Sequence, residues 1–165
     1  MTEYLLPNDI VELAARVVAE NAAIGRKIVL AESCTGGMVA AAITEIPGSS
    51  AVLDRGFVTY SNAAKHEVLG VNSDLVETFG AVSAATVWAM AQGALSRSDA
   101  DVAVAISWVA GPDGGTGQKP VGTVTFARCI RGDDTVDADE RLLDGSSRAA
   151  VRHQATLVAL ELLLP

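Results

Sequence analysis

The sequence has few aromatic residues and few basic ones. Among its 165 residues are two Trp, two Tyr and three Phe, so we expect a core built mainly from small aliphatic side chains such as Ala and Val. Twelve Lys and Arg stand against twenty Asp and Glu, which gives a formal net charge of −8. A chain with this charge and no basic stripe lacks the electrostatic footprint of a nucleic-acid-binding protein. A small anionic ligand is still compatible with it, because net charge says little about one cleft.

Cysteines and long apolar segments are also scarce. Cys34 and Cys129 have neither the spacing of metal ligands nor a C-x-x-C motif, so we expect reduced thiols and no structural metal. No apolar run approaches the roughly 18 residues that a membrane span needs. The N-terminal segment 1–18 carries acidic residues where a signal peptide carries basic ones. We therefore expect a single cytoplasmic domain over residues 1–165 that contacts neither a membrane nor nucleic acid.

Helical and strand patterns alternate along the chain. Strands are predicted at 27–33, 51–61, 101–110 and 122–130, with a last short strand at 141–145. Helices are predicted at 8–25 with Asn8 as cap, at 36–46, at 62–70, at 84–98 with Ser83 as cap, and at 146–164. The segment 71–83 is predicted to be irregular with one helical turn, and 131–140 to be a solvated acidic turn or edge. This order predicts a three-layer α/β/α sandwich. Because 122–130 and 140–145 can form a hairpin, we expect a mixed, mostly parallel sheet. The Ala- and Leu-rich last helix can pack on the sheet or on a second subunit, and we favour a homodimer.

The stretch AESCTGG (31–37) is the clearest indication of a site. A strand runs into a turn that holds Ser33, Cys34 and Thr35, and a helix then begins on two glycines. The hydroxyl of Ser33 would lie at the carboxyl end of the sheet, where open α/β sheets bind ligands. Unpaired N–H groups at the helix start would favour an anion or a developing oxyanion. The alternative, of about equal weight, is that Ser33 or Thr35 only caps the helix. Cys34 is a second candidate nucleophile, because a helix N-terminus lowers the pKa of a thiol.

A serine nucleophile needs a base, and the chain offers few. His153 lies in the last predicted helix, where we expect it to be partly exposed. Lys65 lies beside His66 in an otherwise mostly apolar helix, and burial would lower its pKa enough to make it a base. Since most lysines are solvated, the residues alone favour a surface lysine.

The segment 111–122, GPDGGTGQKPVG, has the composition of a loop. It matches neither phosphate-binding motif, because Gln118 separates Gly117 from Lys119. Its length and glycine content favour a loop that covers a site or cradles a phosphate.

Six motifs in order carry a resemblance to a known family. They are AESCTGG (31–37), PGSS (47–50), VTYSNAAKHEVLGV (58–71), GAVS (80–83), VAGPDGGTGQKPVGT (109–123) and GSSRAAVR (145–152). Together they resemble the C-terminal domain of the competence/damage-inducible CinA proteins, the PncC-type nicotinamide mononucleotide deamidases. The resemblance spans nearly the whole chain. It implies an α/β/α sandwich that hydrolyses the carboxamide of nicotinamide mononucleotide (NMN) to nicotinic acid mononucleotide and ammonia.

The resemblance also implies roles for individual residues, and it implies no cofactor and no metal. Ser33 would be the nucleophile and Lys65 its general base, with Tyr60 as a hydroxyl partner in the relay. Ser107 would supply a supporting hydroxyl, and N–H groups at the start of the 36–46 helix would stabilise the oxyanion. Arg148 would suit the phosphate because its guanidinium is a planar fork. The residues implied to surround the nucleotide are Thr35, Gly36, Gly37, Asn62, Gly111, Gly114, Gly115, Lys119 and Arg148.

Trp108 departs from the family pattern, which has Thr-Gly where this chain has Ser107-Trp108. The indole could fill part of the pocket, change the specificity or point into the core. Three functions therefore stay open: an NMN amidohydrolase of pyridine nucleotide salvage, a non-catalytic nucleotide-binding paralogue, and an amidase of shifted specificity. The presence of both Ser33 and Lys65 favours catalysis.

Overall fold

The computed structural model describes residues 3–109, 115–144 and 146–165. Within these ranges, helices and strands alternate in the predicted order. The strands are β1 (Ile28–Glu32), β2 (Leu53–Val58), β3 (Val102–Trp108), β4 (Thr123–Ile130) and β5 (Asp137–Leu142), and the helices are α1 (Asn8–Ala23), α2 (Met38–Thr44), α3 (Asn62–Leu69), α4 (Ser73–Phe79), α5 (Ala84–Ser96) and α6 (Arg148–Leu162). None of these helices is both long enough and apolar enough to cross a membrane.

The strands form one mixed sheet in the order β2–β1–β3–β4–β5. β1 pairs in parallel with β2 on one side and with β3 on the other. β4 is antiparallel to both β3 and β5, which confirms the predicted hairpin and the mixed sheet. The carboxyl ends of the three parallel strands meet at one edge of the sheet, where open α/β sheets bind ligands.

Helices cover both faces of the sheet, as the sandwich prediction requires. α1, α2 and α6 pack on one face, and α3, α4 and α5 pack on the other. Successive strand residues point to opposite faces, and β1 and β3 alternate accordingly between larger and smaller side chains. The first face receives Ile28, Leu30, Val104 and Ile106, and the second receives Val29, Ala31, Ala103 and Ala105.

Two predicted segments have more regular structure than expected. Residues 73–79 form helix α4 rather than a single turn, because the Asn72 side chain accepts the Asp74 N–H at its start. Residues 137–142, predicted to be mostly an acidic turn, form the edge strand β5 instead. An edge strand tolerates charged side chains, since one of its sides is open to solvent.

Two helix starts also differ from the prediction. Pro7 occupies the cap position of α1, so Asn8 is its first helical residue and makes no capping bond there. α2 begins at Met38 rather than at residue 36, because Gly36 and Gly37 have φ values of +61° and +96°, outside the helical region. The predicted cap at Ser83 is confirmed, since its side chain accepts the Thr86 N–H at the start of α5.

Candidate active site

A small pocket opens at the carboxyl edge of the parallel strands. Its described lining consists of Ser33, Cys34, Tyr60, Asn62, Lys65, Ala81, Ser107 and Trp108. The pocket measures about 130 Å³, comparable to roughly four water molecules in the liquid. A larger cleft of about 230 Å³ lies beside Arg128 and Asp137, and its described lining contains neither a serine nor a lysine.

Ser33 and Lys65 are in contact inside this pocket. Ser33 follows the last residue of β1, whereas Lys65 lies one turn into α3. The Lys65 Nζ donates to Ser33 Oγ at 3.2 Å. It also donates to the Thr59 carbonyl at 3.0 Å and to the Tyr60 carbonyl at 3.4 Å. Two elements distant in sequence therefore bring a hydroxyl and an amine together.

Lys65 is buried, so the expectation of a solvated lysine was wrong. Only 1% of the residue is exposed. The Ser61 side chain accepts the Ala64 N–H and fixes the start of α3 directly after β2, which turns Lys65 back towards the sheet edge. Burial lowers the pKa of Lys65, and a smaller effect of Cys34 opposes it. In the described ranges no carboxylate lies within 4.0 Å of Nζ to restore the ordinary value.

Glu32 was not singled out from the sequence, although it organises the turn. Its side chain is buried, with 1% of the residue exposed. The carboxylate accepts the Thr35 hydroxyl at 2.6 Å and the N–H groups of Gly37, Val39 and Ala40 at 3.0, 3.2 and 2.9 Å. The Glu32 carboxylate therefore caps the start of α2, and the side chains of Ser33 and Thr35 do not. The available signal was a lone acidic residue at the end of an apolar strand.

This capping corrects the predicted oxyanion site. The N–H groups at the start of α2 are bonded to Glu32, and those of Gly36 and Met38 donate to the carbonyls of Ser33 and Thr35. Within the described residues, the N–H groups of Cys34 and Thr35 have no oxygen acceptor. The residue directly after a serine nucleophile commonly supplies an oxyanion donor. Cys34 and Thr35 are thus the candidate donors in place of the helix.

The Cys34 thiol does not have the low pKa that its position predicted. Its residue is 2% exposed, and burial raises the pKa of the thiol to about 12. Hydrogen bonding from the N–H groups of Cys34 and Thr35 offsets this effect only in part. A thiol with such a pKa is protonated near neutral pH and is a poor nucleophile, which favours Ser33 over Cys34 as the nucleophile.

Tyr60, Arg148 and Trp108 form a connected group beside the pocket. Arg148 donates from Nη2 to the Tyr60 hydroxyl at 2.7 Å, and its guanidinium carbon lies 5.4 Å from the centre of the Trp108 ring. The Tyr60 hydroxyl therefore contacts Arg148, and it is the Tyr60 carbonyl that contacts Lys65. Tyr60 and Trp108 both line the pocket.

Ser107 and Trp108 end β3 in the wall of the pocket. Ser107 is buried and donates from Oγ to the Ala81 carbonyl at 2.9 Å. Trp108 is 6% exposed and packs in the core cluster of α1, α2 and α6 while also lining the pocket. Its Nε1–H is buried and has no hydrogen-bond acceptor in the described part of the chain. Two of the three possibilities predicted for Trp108 are therefore both correct, because the residue lines the pocket and also packs in the core.

Of the other residues predicted to bind the nucleotide, some lie at the pocket and some lie away from it. Asn62 lines the pocket at the start of α3, and Thr35, Gly36 and Gly37 belong to the turn that carries Ser33. Lys119 donates to the Val82 carbonyl and lies 3.9 Å from the Glu140 carboxylate, outside the pocket lining. Gly115 packs against Val121, where a Cβ would approach the Val121 nitrogen to 3.0 Å. Gly111 and Gly114 lie outside the described residues.

In the part of the chain that the structure describes, no three His, Cys, Asp or Glu side chains are arranged to hold a metal ion.

An α/β sandwich with a buried serine–lysine contact at the carboxyl edge of its sheet has the arrangement of a candidate serine hydrolase. The comparison with protein families agrees with that architecture. The model of the CinA C-terminal domain matches residues 10–165, so this chain belongs to the CinA C-terminal domain family.

Individual relatives extend the match. A protein of Enterobacter agglomerans named nicotinamide-nucleotide amidohydrolase PncC is 50% identical over 150 residues, which cover 91% of this chain and 90% of that protein. A CinA-like protein of Mycolicibacterium vanbaalenii is 52% identical over 139 residues, 84% of this chain but only 32% of that longer relative. The crystal structure of competence/damage inducible protein CihA from Agrobacterium tumefaciens superposes with a TM-score of 0.92 at 47% identity, covering 99% of this chain and 97% of that one.

Proposed function

We propose that this protein hydrolyses the carboxamide of NMN to nicotinic acid mononucleotide and ammonia. Relatives named nicotinamide-nucleotide amidohydrolase align over nine-tenths of this chain and make it an enzyme of the amidohydrolase class. The observation that carries the proposed mechanism is the contact of Lys65 Nζ with Ser33 Oγ inside the pocket. We further propose that residues 1–165 act as a single catalytic domain.

The three contacts of Lys65 match the needs of a neutral amine base. A neutral lysine has two N–H donors and one lone pair, whereas the charged form has three donors and no lone pair. In the neutral form the carbonyls of Thr59 and Tyr60 accept the two N–H groups, and the contact with Ser33 reverses, so that the Ser33 hydroxyl donates to the lone pair. Burial lowers the pKa of Lys65 and so favours this form.

In the proposed reaction Lys65 takes the proton of Ser33 as Oγ forms a bond to the amide carbon. The amide oxygen becomes an oxyanion, which the N–H groups of Cys34 and Thr35 stabilise. Lys65 then returns the proton to the leaving nitrogen, the C–N bond breaks, and ammonia departs. Water hydrolyses the acyl ester on Ser33, with Lys65 again as the base.

The size of the pocket supports binding of the nicotinamide alone. A cavity of about 130 Å³ has room for a small ring but not for the ribose and phosphate as well. We propose that these extend past Asn62 and Tyr60 towards Arg148, whose guanidinium can bind the phosphate. Ser107, bonded to the Ala81 carbonyl, supports the pocket wall rather than contacting Ser33.

Trp108 favours a second candidate, an amidase for a related aromatic amide, because its indole forms part of the pocket wall. The test is to follow ammonia release from NMN and from free nicotinamide by the purified protein in excess chelator, together with thermal unfolding. Faster release from NMN supports the proposal, and faster release from nicotinamide selects the second candidate. A rise in Tm with NMN but no ammonia would overturn both and indicate a non-catalytic nucleotide-binding protein.

A further inference from the structure

Packing alone does not explain a tryptophan at position 108. Only 6% of Trp108 is exposed, and its Nε1–H has no acceptor among the residues that the structure describes. Burying a polar N–H without a partner costs free energy, and a phenyl ring at the same place would avoid that cost. The residue also lines the pocket directly beside Ser107. The larger indole is therefore better explained by what it presents to the pocket than by what it adds to the core.

Arg148 holds this ring from outside the pocket. Its guanidinium lies over the Trp108 ring at 5.4 Å and donates to the Tyr60 hydroxyl at 2.7 Å. Tyr60 and Trp108 line the pocket, whereas Arg148 is not among its described lining residues. One side chain thus connects the two aromatic residues of the pocket wall.

We propose that Trp108 is a specificity-determining residue whose indole is the surface on which the planar ring of the substrate lies, and that Arg148 is the positioning residue that fixes it. The proposal rests on the proposed function and narrows its substrate class to amides of flat, electron-poor aromatic rings. The ring of NMN is an N-alkylated pyridine that carries a positive charge. Among aromatic side chains, tryptophan attracts such a ring most strongly. An aliphatic amide has no such ring and gains no comparable attraction from the indole.

Fluorescence tests the ring contact directly, because the chain has only two tryptophans. The second, Trp88, lies on α5 and lines a different cleft, with Cys129. The Ser33→Ala/Trp88→Phe variant keeps Trp108 as its only tryptophan and cannot turn over by the proposed route. NMN should quench its emission in a saturable manner. The matched variant Ser33→Ala/Trp108→Phe, which keeps Trp88, should not respond. Equal quenching in both, or no quenching while calorimetry detects NMN binding, would overturn the proposal.

Kinetics then separate this inference from the proposed function. Trp108→Phe keeps a ring without the unpaired N–H and should fold. Its KM for NMN should rise about 3- to 30-fold, the range expected from a weaker cation–π contact, while kcat changes less than about twofold. Trp108→Leu should reduce the preference for NMN over an aliphatic amide such as butyramide. If the wild type releases no ammonia from NMN, the proposed function fails, and the fluorescence titration still judges the ring contact. If the wild type is active and both variants keep its kcat/KM and its preference, this inference alone fails.

Discussion

The side-chain amine of Lys65 lies 3.2 Å from the hydroxyl of Ser33, although 32 residues separate them in the chain. The contact arises because β1 and β2 end at the same edge of the sheet and α3 begins directly after β2. Both residues are buried, with 7% of Ser33 and 1% of Lys65 exposed. Burial disfavours the charged form of the lysine, so the pair suits proton transfer from the serine to a neutral amine.

The burial of Lys65 should make stability depend on pH in a defined direction. Its pKa is lowered in the folded state, whereas the unfolded chain keeps the ordinary value near 10.5. Between these two values the unfolded state binds more protons, so this residue makes the free energy of unfolding increase with pH. The free energy of unfolding of the wild type minus that of Lys65→Met should therefore increase as the pH rises towards the ordinary lysine value of 10.5.

Denaturant unfolding at several pH values measures this difference. Taking the difference between two proteins cancels the effect of Cys129, whose raised pKa acts in the opposite direction. Cys34 contributes a smaller part of the difference, because its charge interacts with that of Lys65. Lys27→Met, which removes an exposed lysine, is the matched control. A Lys65→Met difference that stays flat, or that shrinks with rising pH, would mean that Lys65 is not held in a lowered-pKa environment.

Both cysteines should resist alkylation while the protein is folded. Burial raises the pKa of Cys34 and of Cys129 to about 12, so almost no thiolate exists at about pH 8. Iodoacetamide should leave both unlabelled and the amidase activity intact, and should label both after denaturation. Rapid native labelling of Cys34 accompanied by loss of activity would revive it as the nucleophile.

Replacing Glu32 should damage both the fold and the reaction. Glu32→Ala leaves a hydroxyl and three N–H groups without their acceptor, and we expect a loss of at least about 2 kcal/mol in the free energy of unfolding. Glu32→Gln keeps the shape of the side chain, but its amide N–H₂ faces groups that are themselves hydrogen-bond donors. The turn that carries Ser33 should therefore be disturbed, and kcat should fall by a larger factor than KM rises.

Glu67→Gln is the control, because Glu67 is an exposed acidic residue on α3. Denaturant unfolding and steady-state kinetics of the three variants provide the measurements. If Glu32→Gln has the stability and kcat of the wild type, the carboxylate does not organise the turn.

Two roles of Arg148 can be separated with two substrates that differ only in the 5′-phosphate, NMN and nicotinamide riboside. Arg148→Ala removes the contacts with Tyr60 and Trp108 and should weaken the use of both substrates. Loss of a guanidinium–phosphate contact should cost NMN about 10-fold more in kcat/KM than the riboside. Arg16→Ala, on the exposed face of α1, controls for the lost charge. Equal losses would exclude the phosphate role, and an unaffected riboside would exclude the positioning role.

The fold was largely predictable because its strands and helices have clear apolar periodicities. β3 is an almost continuous apolar run, VAVAISW, as expected of a buried strand. β5 was mostly missed because DADERL has the composition of a solvated turn and becomes a strand only by pairing with β4. Such pairing is a tertiary effect that local composition does not encode.

The candidate site was predictable only in part. The turn at Ser33 stood out because a hydroxyl followed by two glycines has no role in a core. The burial of Lys65 depends on how α3 folds back over the sheet edge, which no local pattern reveals. The capping role of Glu32 and the double role of Trp108 likewise depend on partners that are distant in sequence, such as Arg148 for Trp108.

The central claim is that Ser33 and Lys65 act as one catalytic unit, and a double-mutant cycle tests it most directly. Ammonia release from NMN would be measured for the wild type, Ser33→Ala, Lys65→Met and the double variant. Residues that act as a unit show grossly non-additive effects. We expect each single change to lower kcat by about 10⁴-fold and the double change to lower it no further. Losses that multiply in the double variant, or a single variant that keeps a large share of the activity, would contradict the account.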